Sequence, residues 1–135
     1  MQTGQGLTAA ERVRRRPEFE RAYNTGVRVH GRFMTLFVVP NGTPSSRLGV
    51  AATRKLGPAV VRNRAKRMSR ELFRRHKVTA GLDIVIVPRR EMLDASFSTL
   101  EADYLAVLER RTHERHAPRS RPAAGGGRAR PPSRV

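Results

Sequence analysis

The first third of the chain has an apolar spacing that predicts a helix. Phe19 and Tyr23 lie four residues apart, which places both rings on one face of a helix. Pro17 suits the first helical turn, where its missing N–H is not needed, and Gly26 is a natural end. We therefore predict a short helix over residues 17–25.

Three stretches have the composition of β-strands. Residues 27–39 alternate between two faces, and their second half is apolar on both, which is typical of a strand covered on both sides. A stretch rich in turn formers separates this first strand from residues 47–53. These residues predict a second strand made of small side chains. Residues 81–88 form the most apolar run of the chain and predict a buried central strand.

Two further helices are predicted, one in the middle of the chain and one after the last strand. Pro58 stands at the start of a long helix that runs to about His76. The final helix is expected near residues 96–111, where Ser98 and Glu101 have the spacing of a capping box. Its buried stripe is predicted to consist of Phe97, Leu100, Tyr104, Val107 and Leu108. This element order predicts a small α/β sandwich with helices packed against one mixed sheet.

The long helix combines a narrow apolar seam with a broad basic face. The seam spans an arc of roughly 60° and is expected to pack on the sheet. It consists of Val61, Ala65, Met68 and Leu72. The opposite side is predicted to carry Asn63, Lys66, Arg67, Arg70 and Arg74, with Arg62, Arg64 and Arg75 on its flanks. From Arg54 to Lys77, ten basic residues stand against one acid, Glu71.

A helix face of one sign is destabilising, because like charges four residues apart, such as Lys66 and Arg70, repel each other. A solvated helix face usually mixes the two signs. We therefore interpret this face as a phosphate-binding surface. Asn63, which is a poor residue for a helix interior, could contact a base edge or a ribose hydroxyl.

Composition supports a polyanionic partner and excludes several classes of protein. The chain of 135 residues has a formal net charge of +17, and 25 of its 28 basic residues are Arg. Such a charge favours binding to nucleic acid. The absence of cysteine excludes disulfides, thiolate metal sites and cysteine nucleophiles. No apolar run has the length of a signal peptide or a membrane span, so we expect a cytoplasmic protein without membrane association.

The composition also divides the chain into three parts. We expect a flexible arm over residues 1–10 and one RNA-binding α/β domain over residues 11–112. Residues 113–135 are rich in Arg, Pro and Gly and are expected to form a disordered tail.

The basic helix and the residues before it carry a specific motif. The segment Arg54-Lys-Leu-Gly-Pro-Ala-Val-Val-Arg-Asn-Arg-Ala-Lys-Arg-Met-Ser-Arg-Glu71 resembles the signature of the bacterial ribonuclease P protein subunit, with twelve of its eighteen positions matching. The resemblance extends over roughly residues 11–111. It implies an α+β single-domain sandwich in the order α-β-β-β-α-β-α. Its mixed sheet would have an unusual left-handed crossover, as in ribosomal protein S5 domain 2-like folds.

The resemblance implies a function as the protein component of ribonuclease P, which assists endonucleolytic removal of the 5′ leader from precursor tRNA. The partners would be the ribonuclease P RNA and precursor tRNA, with no obligate protein partner. Contacts with the catalytic RNA would be made by Arg62, Asn63, Arg64, Lys66, Arg67, Arg70 and Arg74.

The single-stranded leader would bind in a cleft between the first helix and the sheet. By position, its aromatic lining would be Phe19, Tyr23 and Phe37, and its phosphates would be neutralised by Arg54, Lys55, Arg89 and Arg90. Aromatic rings beside Arg are what a sequence-tolerant single-strand groove needs. Phe19 and Phe37 could equally be core residues.

The sequence predicts no catalytic residue and no metal ligand. Metal-dependent phosphodiester cleavage needs clustered carboxylates, and the eleven acids are scattered along the chain. The RNA subunit would then perform the chemistry, with magnesium expected at the RNA of the holoenzyme and none bound by protein side chains alone. The alternatives are a non-enzymatic ribosomal or other structured-RNA-binding protein, a DNA-binding factor and a protein-only nuclease. Strands beside the basic helix argue against the DNA-binding factor.

Overall fold

The computed structural model describes residues 9–78 and 81–116, with side chains described as far as Arg110. A four-stranded mixed sheet carries helices on both of its faces. The strands are β1 (Val27–His30), β2 (Met34–Pro40), β3 (Arg47–Val50) and β4 (Leu82–Pro88). The helices are α1 (Arg16–Thr25), α2 (Ala59–Arg75) and α3 (Phe97–His116). Short 3-10 turns lie at Ala9–Glu11, Arg54–Leu56 and Arg90–Asp94. The predicted order α-β-β-β-α-β-α is confirmed.

The sheet has the strand order β1-β2-β4-β3. β2 pairs antiparallel with both β1 and β4, whereas β3 pairs parallel with β4. The parallel pair is joined through α2, because a parallel neighbour can be reached only by a crossover. β4 has a partner on each side and is buried along most of its length, as its continuous apolar run predicted.

Alternation along the strands separates two layers of apolar side chains. Phe37 of β2 and Val85 of β4 are paired and pack in a small cluster under α1. Leu36 and Ile86 are paired on the opposite face and belong to the larger cluster, to which α2 and α3 contribute. The sheet is therefore covered on both faces, as the pattern of β2 predicted.

The single strand predicted over residues 27–39 is wrong, because this stretch forms the antiparallel hairpin of β1 and β2. Residues 31–33 make its turn, and the N–H of Gly31 donates to the carbonyl of Met34 at 2.7 Å. The strand predicted over residues 47–53 is also shorter, since β3 ends at Val50.

The hairpin turn depends on contacts with α3, some 70 positions further along the chain. The Asp103 carboxylate accepts hydrogen bonds from the backbone N–H of Arg32 at 3.1 Å and of Phe33 at 3.0 Å. A Cβ on Gly31 would lie 2.5 Å from a methyl group of Val107, so only glycine lets the turn approach the helix this closely. The local pattern could not reveal a turn that a distant carboxylate stabilises.

The start of α3 differs from the predicted capping box of Ser98 and Glu101, which is wrong. Ser96 is the cap, and its hydroxyl accepts the N–H of Thr99 at 3.2 Å. Glu101 instead reaches His76, with 2.8 Å between the carboxylate and the Nε2 of the ring. A tertiary partner thus engages the carboxylate that the local spacing assigned to the cap.

The length of α3 also exceeds the prediction. The helix continues to His116, so residues 113–116, which were assigned to the tail, are helical. This extension is physically reasonable because no Gly or Pro interrupts the sequence before Pro118. The predicted stripe is largely confirmed: Phe97 is half-buried, and the buried members are Leu100, Tyr104, Val107 and Leu108. The remainder of the predicted tail, from residue 117, and residues 1–8 of the predicted arm lie outside the described residues.

A buried ion pair joins β3 to β4. The Asp83 carboxylate is completely buried and accepts two hydrogen bonds from the Arg47 guanidinium, at 2.8 and 2.6 Å. The side-chain amide of Asn41 donates a third at 3.0 Å. These three donors compensate for removing the carboxylate from water.

The same guanidinium extends the network to α1. The third Arg47 nitrogen lies 3.2 Å from the Glu18 carboxylate, which also accepts the backbone N–H groups of Arg14 and Arg15 at 3.1 Å each. Burial acts to raise the pKa of Glu18, but these two N–H groups and Arg47 outweigh it and lower the pKa below its ordinary value. One carboxylate thus fixes the beginning of α1 against β3.

We predict that Arg47→Met lowers the free energy of unfolding by about 3–5 kcal/mol, because it leaves the Asp83 carboxylate buried without its cation. Urea denaturation at neutral pH measures the loss. The matched control is Arg16→Met, which removes an exposed ion pair with Glu20 and should cost less than about 1 kcal/mol. Equal losses in the two variants would contradict a special role for the buried pair.

Candidate RNA-binding surfaces

The outer face of α2 is a basic crest, defined by four exposed side chains. They are Asn63, Arg64, Arg67 and Arg74. Val60, at the beginning of the helix, adds an apolar side chain that is 78% exposed. The crest confirms that the helix has a polar face of one predominant sign turned away from the core.

The apolar side of α2 is wider than predicted and rotated around the helix. Ala65 and Leu72 are buried as expected, but Val61 and Met68 are only partly buried. The helix contacts both β3 and α3, so a broader arc is covered than contact with a sheet alone would require. The buried residues that the predicted seam omitted are Ser69 and Phe73.

This rotation changes the position of two predicted RNA-binding residues. Lys66 and Arg70, predicted on the side opposite the core, are half-buried on one flank, together with Arg62. Burial lowers the pKa of Arg70, and the positive charges of Arg12 and Arg67 lower it further. The predicted basic face is therefore divided between the crest and this flank.

The one acid of the helix neutralises part of its C-terminal end. Glu71 accepts hydrogen bonds from Arg74 at 2.6 Å and from Arg75 at 2.8 Å, and these two bonds lower its pKa. Within the described residues, Arg64 and Arg67 have no carboxylate within ion-pairing distance. The positive charge available to a ligand is thus concentrated toward the N-terminal half of the crest.

The three aromatic residues predicted to line a cleft do come together. Tyr23 meets Phe37 edge to face with 4.9 Å between ring centroids, and the rings of Phe19 and Tyr23 are 6.4 Å apart. Phe19 and Phe37 are buried members of the cluster under α1, whereas Tyr23 is only half-buried. Tyr23 is therefore the ring of this group that remains accessible to a stacked base.

The sheet face beside Tyr23 continues past the end of α1. The strand register places His30 opposite Thr35 on this face, and the two side chains are hydrogen-bonded at 3.0 Å. Val87, which pairs with Thr35 from the other side, is partly exposed. These residues extend the aromatic group into an open surface that sequence reasoning did not assign.

Four predicted phosphate-binding residues meet at one end of the sheet. Arg54 and Lys55 follow β3, and Arg89 and Arg90 follow β4. Because β3 and β4 are parallel, their carboxyl ends lie at the same end of the sheet. All four side chains are exposed. The topology thus brings together two pairs of basic residues that are separated by more than thirty positions in the sequence.

Two basic residues that the sequence analysis left unassigned also lie near the predicted sites. Arg12 and Arg14 line a pocket together with Phe19, Lys66 and Arg70. In the sequence, these two residues belong to a basic run over residues 12–16, just before Pro17. The run indicates positive charge but not where that charge lies in the fold. The pocket joins residues that the resemblance assigns to two different RNAs.

Acidic and histidine side chains in the described part of the chain do not form a recognisable metal centre. No group of three or more His, Cys, Asp or Glu residues able to hold a metal ion occurs there. The same residues contain no helix with the length and apolarity needed to cross a membrane.

Comparison with known proteins identifies the family. The profile of the family described as Ribonuclease P matches residues 7–112. The chain belongs to the ribonuclease P protein family. The ribonuclease P protein component of Desulfovibrio desulfuricans is 39% identical over 115 residues, covering 81% of this chain and 87% of the relative. That of Caldanaerobacter subterraneus is 35% identical over 101 residues, covering 73% and 87%.

Solved structures of ribonuclease P proteins have the same fold. The RNase P protein of Thermotoga maritima superimposes with a TM-score of 0.67 at 35% identity, covering 74% of this chain and 96% of that protein. The RNase P protein of Staphylococcus aureus gives 0.67 at 31% identity, covering 73% and 93%. Membership in this family assigns the chain to tRNA processing as a ribonuclease P protein component. It also decides against the ribosomal-protein and DNA-binding alternatives.

Proposed function

We propose that this ribonuclease P protein component uses two surfaces, one for the RNA subunit and one for the 5′ leader of precursor tRNA. The observation that carries the proposal is the division of its basic residues. One group lies on α2, and the other lies at the carboxyl ends of β3 and β4. A single phosphate backbone does not need two such surfaces on different elements, whereas an RNA subunit and its substrate do.

In this proposal the α2 crest binds the RNA subunit. Arg64 and Arg67 offer planar guanidinium groups for phosphate oxygens, and Asn63, next to Arg64, offers an amide for a base edge or a ribose hydroxyl. Arg62, Lys66 and Arg70 extend the contact along the flank. Arg74 contributes less, because it already donates to Glu71.

The leader would lie on the open sheet face beside α1. Tyr23 supplies an accessible ring for a stacked base, while Phe19 and Phe37 support that ring from below. Arg54, Lys55, Arg89 and Arg90 neutralise phosphates at the end of the sheet. Stacking and backbone contacts of this kind tolerate many sequences, as a protein that acts on many leaders requires.

The same proposal assigns the cleavage chemistry to the RNA subunit. Four carboxylates described in the structure already have partners within the fold: Glu18 at the beginning of α1, Asp83 with Arg47, Glu71 with Arg74, and Asp103 at the hairpin turn. Magnesium would bind at the RNA, and the protein would approach it only through phosphate oxygens. We also propose a cytoplasmic location, where precursor tRNA is available.

The direct test is cleavage of precursor tRNA by a bacterial ribonuclease P RNA at low magnesium, with and without the full chain. We expect the chain to increase the cleavage rate, because its cations replace part of the magnesium that would otherwise neutralise the phosphates. The chain without RNA should not cleave the precursor. Absence of stimulation at every protein concentration would refute the proposed function, and cleavage by the chain alone would refute the assignment of chemistry to the RNA.

The role of the crest is tested by Arg64→Ala. This change should weaken binding to the RNA subunit and reduce the slope of log affinity against log salt by roughly one unit, because one phosphate contact is lost. Filter binding over a series of salt concentrations measures both. Arg16→Ala is the control, since it removes an exposed cation from α1 and should leave the slope unchanged. Equal slopes for Arg64→Ala and the unmodified chain would remove Arg64 from the interface.

The role of Tyr23 is tested with two substitutions. Tyr23→Leu should weaken holoenzyme binding to precursor tRNA by about 1–3 kcal/mol, the usual contribution of one stacked base. Tyr23→Phe keeps the ring and should bind nearly as well as the unmodified chain. A precursor without a leader should bind all three proteins equally. If the leucine variant lost the same affinity for the leaderless substrate, the ring would act through the fold and not through the leader.

A further inference from the structure

A pocket of about 270 Å³ opens where the N-terminal segment passes beside α2 at the β3 edge of the sheet. Its outer wall is the segment around Arg12, which forms a parallel bridge with Leu48. The N–H of Val13 donates to the carbonyl of Leu48 at 2.8 Å. An ion pair between Glu11 and Lys77 holds the same segment beside the end of α2. The wall is therefore fixed by the fold.

The rim of this pocket carries cations from two separate elements. Arg12 and Arg14 come from the N-terminal segment, and Lys66 and Arg70 come from α2. The lining includes no acidic residue among those that the structure describes. The charged groups that influence the pKa of Arg70 are both positive, and together with burial they lower it. A phosphate placed between Arg12 and Arg70 would be attracted by both guanidinium groups.

The floor of the pocket is apolar. It is formed by Val13, Phe19, Leu48, Gly49 and Val50. A Cβ on Gly49 would lie 2.9 Å from both the Phe19 ring and the Val13 side chain, so the absence of a side chain there lets the floor pack closely. Cations above an apolar floor suit a ligand that has a phosphate at one end and a flat, weakly polar group at the other.

The dimensions favour a single nucleotide. The volume of the pocket lies just below roughly 300 Å³, the lower end of the usual range for small-molecule sites. It is therefore too small for a duplex and large enough for one unstacked nucleotide. Proteins recognise unstacked bases in single-stranded RNA, where a base can turn outward and pack against apolar or aromatic side chains.

We propose that this pocket binds one nucleotide of a single-stranded RNA, with the phosphate between Arg12 and Arg70 and the base on the apolar floor. The proposal rests on the proposed function only in taking RNA as the ligand. The site adjoins the surface around Tyr23 and shares Phe19 with it, but it lies at the β3 edge and includes the N-terminal segment. It gives Arg12 and Arg14 a role that neither the motif nor the charge count indicated.

The first test titrates the full chain with 5′-AMP, adenosine and inorganic phosphate, following backbone amide signals by NMR. We expect 5′-AMP to shift the signals of Gly49 and Val50 in a saturable manner. Adenosine and phosphate should each bind at least about tenfold more weakly, because each provides only half of the contacts. Shifts by 5′-AMP that spread over the basic surface without saturating at Gly49 would overturn the proposal.

The second test compares three variants that each remove one positive charge. Arg12→Gln and Arg70→Gln should each weaken 5′-AMP binding by about tenfold, the usual effect of losing a charged hydrogen bond. They lie on different elements, so a change in the fold would not affect both in the same way. Arg32→Gln, at the opposite side of the sheet, should change the affinity less than twofold.

Equal affinities of Arg12→Gln, Arg70→Gln and Arg32→Gln for 5′-AMP would overturn the nucleotide site. The precursor-tRNA assay separates this failure from failure of the proposed function. If the chain still stimulates cleavage by the RNA subunit, only the pocket assignment is lost. If stimulation is absent but 5′-AMP still binds at Gly49, the pocket stands and the ribonuclease P function does not.

Discussion

The buried Asp83 carboxylate is the constraint on which the arrangement of the surfaces depends. It stands at the beginning of the central strand β4 and requires the Arg47 guanidinium to remain charged inside the fold. Because that guanidinium also reaches Glu18, one ionic network fixes α1 on the sheet. The position of α1 in turn determines where Phe19 and Tyr23 lie. The surface proposed for the leader thus depends on an ionic network inside the fold.

The distribution of acids explains how a chain with a net charge of +17 can fold and still present cations. Several acidic side chains of the described part of the chain, such as Glu18, Asp83 and Asp103, are engaged in helix starts, turns and ion pairs, and many basic residues remain exposed. Glu71 is instructive, because it neutralises the C-terminal end of the α2 crest and leaves the N-terminal half strongly positive. Self-repulsion on that half disfavours the free protein and would be relieved by the phosphate binding proposed there.

Local patterns predicted most of the elements, since periodicity reflects which side of an element is covered. They failed where a distant residue changed the local outcome. The hairpin within residues 27–39 exists because Asp103 binds its turn, and Glu101 is not a cap because His76 engages it. The buried arc of α2 was displaced because a second helix packs beside it. Each failure has the same origin, a tertiary contact that the local sequence does not contain.

The sequence by itself determined the family, the basic character of α2 and the residue types suited to binding RNA, because these follow from motif, spacing and charge. The tertiary structure decided which of those residues lie together. Parallel pairing of β3 with β4 placed Arg54 and Arg89 at the same end of the sheet. Rotation of α2 turned Arg70 toward the N-terminal segment, where it meets Arg12. Such neighbours are set by the packing of the whole chain, so the basic helix that dominates the sequence contributes to more than one surface.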